Sequence, residues 1–295
     1  MSVFRHKQSA LMRREAMVGI GFLMPAFLGC AVFVLIPFGQ SLLLSFFNAS
    51  TGAFEGVKHY RDIFTNKSFQ QALLNTGRFM GLCVPMLIVF SLLLALGLTG
   101  KVVGRGALRA AFLLPMAIPV ASVALLWQLL FHQNGLFNAL FSNLGLNTVD
   151  WMRTDAALIC LIISYLWKNI GYNMVLFIAA LGAISPSLYE AAAVDGAGKM
   201  RTFFSITLPC LKPALFTVTI LSVLNSFRAY REAYLVAGNY PHGSIYLLQH
   251  TLNNWFAAIE IERLSAAAVT TSIIILILVG LLKGAWASDK EGGTV

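Results

Sequence analysis

A chain of 295 residues with 58% hydrophobic and only 11% charged residues cannot hide its apolar surface in one water-soluble core, where charged residues make up roughly 25%. Lipid must be the solvent for much of it, as the mean hydropathy of +0.76 agrees. The net charge of +9 gathers at the ends of apolar runs, without a basic face or basic–aromatic interleaving, which excludes nucleic acid as a partner.

The expected fold class is all-α, a polytopic membrane protein. Six apolar runs predict spans near residues 16–38, 72–98, 107–131, 156–183, 214–237 and 264–286. Each has at least about 20 residues, enough to cross about 30 Å of hydrocarbon as a helix. Pro115 and Pro119 fall in the third run, where neighbouring helices can satisfy the freed backbone groups. Residues 1–15 and 287–295 read as tails. Arg5, Lys7, Arg13 and Arg14 precede the first span, and Lys101, Arg105 and Arg109 lie between the second and third. Lys199, Arg201 and Lys212 lie between the fourth and fifth, and Lys283 and Lys290 at the end. The positive-inside bias therefore predicts cytoplasmic termini.

The opposite loops, 48–71, 132–155 and 238–263, then lie outside, and the first two suit short surface helices. Cys30, Cys83, Cys160 and Cys210 lack disulfide or metal-ligand spacing and read as packing residues. His6, His59, His132, His242 and His250 lie in tail or loops, likewise lack metal spacing, and are expected in solvated or interfacial roles. Gly77-x-x-x-Gly81 and Gly280-x-x-x-Gly284 have the spacing of close helix packing. Trp151, Trp255 and Trp286 read as interfacial anchors.

The inside loop, 184–213, is unlike the others. Pro186 suits a first helical position, Ser187 and Glu190 have capping-box spacing, and Ala191 to Ala193 are strong helix formers without bulk. Asp195-Gly196-Ala197-Gly198 breaks this helix, and a second, amphipathic one is predicted from Lys199 to Leu208, ended by Pro209. A short helix with a small-residue face between two spans is shaped to enter a partner's groove.

Glu190-Ala191-Ala192, Gly196 and Ile206-x-Leu208-Pro209 resemble the EAA motif of bacterial ABC-importer permeases at every defined position. Phe112-Leu-Leu-Pro115 and Trp167-Lys-Asn-Ile-Gly-Tyr172 are similar to the carbohydrate-uptake branch, the maltose and glycerol-phosphate type. The resemblance implies a type I importer permease fold in the cell membrane, with no catalytic residue, metal or cofactor on this chain. Its implied partners are a second homologous permease subunit forming a heterodimer with it, two ATPase subunits carrying ATP–Mg, and an extracytoplasmic solute-binding protein. It also implies that Glu190, Ala191, Ala192 and Gly196 form the docking helix and its turn. Asp195, Ile206, Leu208 and Pro209 would support them.

Ionisable groups inside spans cost at least about 2.5 kcal/mol unless paired or wet. Lys168, Tyr172 and Asn173 in the fourth span and Asn225, Arg228, Tyr230 and Glu232 in the fifth are therefore candidates for lining a translocation path. The alternative is that they tie helices together or seal the outer gate. Arg228 and Glu232 are spaced to pair along one helix face. The expected function is sugar, polyol or oligosaccharide import. Glycerol-phosphate or another non-sugar solute is the alternative, and a stand-alone secondary transporter a further one. The chain contains no GxxxxGK[ST] loop for nucleotide.

Overall fold

A computed structural model describes residues 2–100 and 102–291, with the side chains of 2–14, 16, 285 and 287–291 left aside. Lys101 and the side chains of Arg5, His6, Lys7, Arg13, Arg14 and Lys290 thus lie outside what is described, as do nearly all side chains of the two expected tails. Among the described residues the secondary structure is helical, apart from a single bridge between Phe47 and Phe54. Among the described residues five helices are long and apolar enough to cross a membrane, six if one bent pair counts as a single span.

The chain divides into two compact units. In the first, Met1–Thr65 with Ala258–Ile273, α1 (Ser2–Cys30), a π-helical turn (Ala31–Leu35) and α2 (Ile36–Leu44) follow one another without a break. Their apolar part, Met17–Leu44, is unburied within the chain. Beyond it, the Asn48 side chain accepts from the Ser50 and Thr51 N–H groups at 3.0 Å, closing a turn. α3 (Lys58–Thr65) follows. The start of α14 (Ile261–Glu291) is tied to this loop by Glu262, whose Oε1 accepts from Ala49 N–H at 3.0 Å.

The second unit, Asn66–Ala257 with Ile274–Val295, is built on α4 (Lys67–Thr99). Asn66 caps it by accepting from Phe69 N–H at 3.1 Å. α5 (Arg105–Ala117) and α6 (Val120–Phe131) follow, then α7 (Leu136–Asn143), α8 (Ala156–Gly182) and α9 (Pro186–Val194). α10 (Lys199–Thr202), a π turn (Phe203–Thr207), α11 (Leu208–Ser226), a 3-10 turn (Phe227–Ala229) and α12 (Tyr230–Ala237) come next, and α13 (Leu248–Ala257) lies before the last span.

Two expected elements differ. The third run is two helices rather than one, bent by 95° at the break. Pro119 offers no N–H and drives Ile118 into extended backbone (φ −74°, ψ 132°). The fifth span starts at Lys199 and runs to Ala237, so Pro209 does not end a helix. It falls at the first turn of α11, directly after the π turn. A widened turn relieves the clash that a proline ring makes with the preceding turn's carbonyl.

The core lies along α4 and α8. Phe79, Cys83 and Leu87 meet Leu161 and Tyr165, and further along Ala95 and Leu98 meet Met174, Phe177 and Val218 of α11. Val123, Trp127 and Phe131 of α6 pack with Cys160. Gly77, Gly81, Gly280 and Gly284 have open space where a Cβ would stand, with no described residue packed closely against them. Gly171 permits a close approach between two helices, since a Cβ there would overlap the Phe112 carbonyl of α5.

Two other expectations are corrected by burial. Trp255 is buried, stacked on Phe69 at 5.9 Å, rather than set at an interface. His250 is fully buried and His59 nearly so. Their sequence neighbours are polar enough to suggest loops, but α13 and α3 turn these rings inward. His250 Nδ1 accepts from Leu247 N–H at 3.0 Å, and its ring lies against Tyr230 at 4.6 Å.

Gly171→Val should separate α5 from α8 and lower the thermal unfolding temperature of the detergent-solubilised protein. The expected cost is at least the 1–3 kcal/mol typical of overpacking, with Gly171→Ala intermediate, because backbone rather than a flexible side chain is in the way.

Burial lowers His250 from its ordinary 6.5 to about 4. The unfolded chain takes up this proton first as pH falls, so the associated stability is intact above pH 6.5 and is lost progressively down to about pH 4. His250→Asn should show a shallower loss of thermal stability between pH 7 and pH 4.5 than the unsubstituted chain (~25 °C scale of comparison, differences of order 3 kcal/mol at most).

Candidate functional site

Two places collect the residues singled out by sequence. The first is the loop after α8. Ser185 takes the cap position with extended backbone and Pro186 opens α9, so Ser187 and Glu190 do not form the expected capping box. Ser185 Oγ instead lies 2.8 Å from Ser187 Oγ. α9 closes on Gly196, which takes a left-handed φ of 72°. Gly196 N–H donates to the Ala193 carbonyl at 3.1 Å and Ala197 N–H to the Ala192 carbonyl at 2.9 Å. This is the paired closure of a Schellman motif, and it gives a physical reason for glycine at this position.

Around this turn, Glu190, Ala191 and Asp195 are exposed, whereas Ala192 is buried. Leu188 (43%), Val194 (89%) and Met200 (71%) expose apolar side chains beside them. Ile206 and Leu208 are half-buried and Pro209 exposed. Tyr189 Oη and Thr207 Oγ1, 3.1 Å apart, fasten α9 to the π turn at the foot of the fifth span.

The second place is a cavity of about 340 Å³. α8 contributes Tyr165, Lys168, Asn169 and Tyr172 to its wall, and the fifth span contributes Leu221, Asn225, Arg228, Arg231 and Glu232. Met116 and Val120 line it from either side of the break between α5 and α6. Lys168 Nζ donates to Glu232 Oε1 at 2.8 Å, with both side chains nearly buried. Glu232 therefore pairs across helices, not with Arg228 along its own helix as the spacing suggested. Glu232 Oε2 and Tyr165 Oη are buried without partners.

Two expected lining residues stand elsewhere. Asn173 is buried and donates to Ser222 Oγ at 2.7 Å, tying α8 to α11. Tyr230 packs on Tyr234 and His250. Tyr165, Asn169 and Arg231 were not singled out as lining residues. Their signal is helical spacing: 165, 168, 169 and 172 share one face, and Arg231 lies one turn from Arg228. Between α6 and α12, Gln128 Nε2 donates to the Val236 carbonyl at 2.9 Å, satisfying the end of α12.

These features define a helical membrane protein with a polar cavity between spans and a separate, exposed turn between α9 and α10. The chain belongs to the family described as binding-protein-dependent transport system inner membrane component, which it matches over residues 87–286. It is 31% identical over 274 residues to the trehalose/maltose transport system permease protein of Thermococcus litoralis, covering 91% of this chain and 93% of that one. It is 30% identical over 262 residues to the sn-glycerol-3-phosphate transport system permease protein of Yersinia enterocolitica, covering 85% and 86%. A bacterial ABC transporter involved in import of the acidic polysaccharide alginate has the same fold, with a TM-score of 0.83, 22% identity, and 96% and 99% of the two chains covered. The chain is thus a permease subunit of an ABC importer and not an enzyme, and the stand-alone secondary transporter is set aside.

Removing one member of the cross-helix pair, as in Lys168→Met or Glu232→Leu, should cost about 3–5 kcal/mol by stranding a buried charge. The double variant should recover much of that loss. Thermal unfolding of the four proteins as a double-mutant cycle measures it.

Proposed function

We propose that this chain and a second, homologous permease subunit enclose the path by which a sugar, oligosaccharide or related polyol enters the cell. The solute is delivered by an extracytoplasmic binding protein, and two ATP-binding subunits holding ATP–Mg drive the cycle. Glycerol-phosphate, or another non-sugar solute, is the alternative cargo. Both termini and the loop 184–213 face the cytoplasm.

The observation that carries this reading is the turn between α9 and α10. Its glycine closure is rigid, and its apolar side chains Val194 and Met200 are presented to solvent. That is the form of a knob awaiting a socket, and a cytoplasmic ATPase supplies the socket. Glu190, Ala191, Ala192 and Gly196 dock, with Asp195, Ile206, Leu208 and Pro209 supporting them. Closure of the ATPases on ATP moves this turn, and the fifth span carries the movement to the cavity. Lys168, Tyr172, Asn225, Arg228 and Glu232 line the path there, while Asn173 and Tyr230 hold the walls. The permease pair is the two-state element and nucleotide biases it.

Gly196→Asp and Glu190→Lys should each lower binding-protein-stimulated ATPase activity of the vesicle-reconstituted importer by about tenfold or more, the equivalent of roughly 1.4 kcal/mol of lost docking. The membrane domain should keep its unfolding temperature. Stimulation equal to that of the unsubstituted importer in both variants would exclude the docking role.

A further inference from the structure

The cavity wall carries three cations, Lys168, Arg228 and Arg231, against one carboxylate, Glu232. Lys168 and Glu232 neutralise one another. Arg228 and Arg231 are exposed and make no hydrogen bond or ion pair with other described residues. A guanidinium does not deprotonate in proteins, so this wall cannot discharge itself as a lysine-lined one could. Two positive charges therefore remain in a recess within apolar spans, where low-dielectric walls focus the field on whatever enters.

We infer that the cargo is a hydroxylated organic anion, a saccharide or polyol bearing carboxylate, sulfonate or phosphate. This rests on the reading of the cavity as part of the path. Arg228 and Arg231 lie one helical turn apart and present planar forks, which suit the bidentate recognition of such groups. The rest of the wall suits the hydroxylated part. The Asn225 amide on this wall can both donate to and accept from hydroxyls, whereas Glu232 Oε2 and Tyr165 Oη are enclosed without partners. Tyr172 adds an aromatic face for C–H groups. A neutral sugar would use the amides and tyrosines equally well but would leave both guanidiniums uncompensated in the recess.

The charge preference is measurable before the solute is known. Asn225→Cys places a thiol on the wall, in the assembled importer, on a background in which the exposed Cys30 and Cys210 are replaced by serine. Its reaction rate with anionic sulfonatoethyl methanethiosulfonate is divided by that with the cationic trimethylammonium reagent. The same ratio at a solvent-exposed thiol, Ser50→Cys, is the reference. The cavity ratio should exceed the reference by about tenfold, persist with Arg228→Lys/Arg231→Lys, and collapse to the reference with Arg228→Gln/Arg231→Gln.

Labelling by both reagents at the reference ratio would overturn the anionic cargo and leave the path intact. An elevated ratio that survives both glutamine substitutions would remove the arginines from the proposal and so overturn it. Absence of labelling by either reagent, with and without ATP, would overturn the path reading together with the cargo inferred from it.

Discussion

Hydrocarbon offers no hydrogen-bond partner, so each polar group in this chain's spans must be paired inside the protein or kept wet. The Lys168–Glu232 contact at 2.8 Å is where that constraint acts most strongly. It joins α8 to α12 at a depth where either charge alone would be costly. A hydrophobic pair of similar volume could hold the helices as well or better, so stability alone does not account for it. Its position on a cavity wall does: it cancels one positive charge there and leaves Arg228 and Arg231 as the wall's net charge.

The same constraint explains where the helices are interrupted. The break at Ile118–Pro119, flanked by Met116 and Val120, and the 3-10 turn Phe227–Ala229, which contains Arg228, both border the cavity. Irregular backbone at membrane depth is tolerated where it is covered by protein or faces water. Gly171 brings α8 onto the Phe112 carbonyl of α5, so the broken helix is held against a continuous one. The cavity is thus framed by one rigid helix and two discontinuous spans.

Much of this organisation is readable from residues. Uninterrupted apolar length reveals the spans, because crossing hydrocarbon demands it. The Asp195-Gly196-Ala197-Gly198 stretch reveals the turn that ends α9, because a glycine is favoured where φ becomes positive, as at Gly196. What sequence conceals is partner choice. Arg228 stands at helical spacing from Glu232, yet Lys168, 64 positions away, takes the carboxylate, since only packing determines which cation is near. Asn173 has the composition of a lining residue but finds Ser222 instead. The 95° bend hides in a run whose hydropathy never falters, with only the prolines marking it.

In the proposed mechanism, the fifth span links the two functional places. From Thr207, fastened to Tyr189 of the docking helix, to Arg228 on the cavity wall is about 30 Å along a helix rising 1.5 Å per residue. A helix of that length transmits displacement well between its irregular ends. One end is the π turn Phe203–Thr207, the other the 3-10 turn Phe227–Ala229. Both are turns whose hydrogen bonding differs from the α-helix, so each can change register at less cost than the rod between them. Movement of the docking turn would consequently reach the cavity as a shift of Arg228 relative to Lys168. The charged wall is then not a fixed lining: its geometry follows the motor.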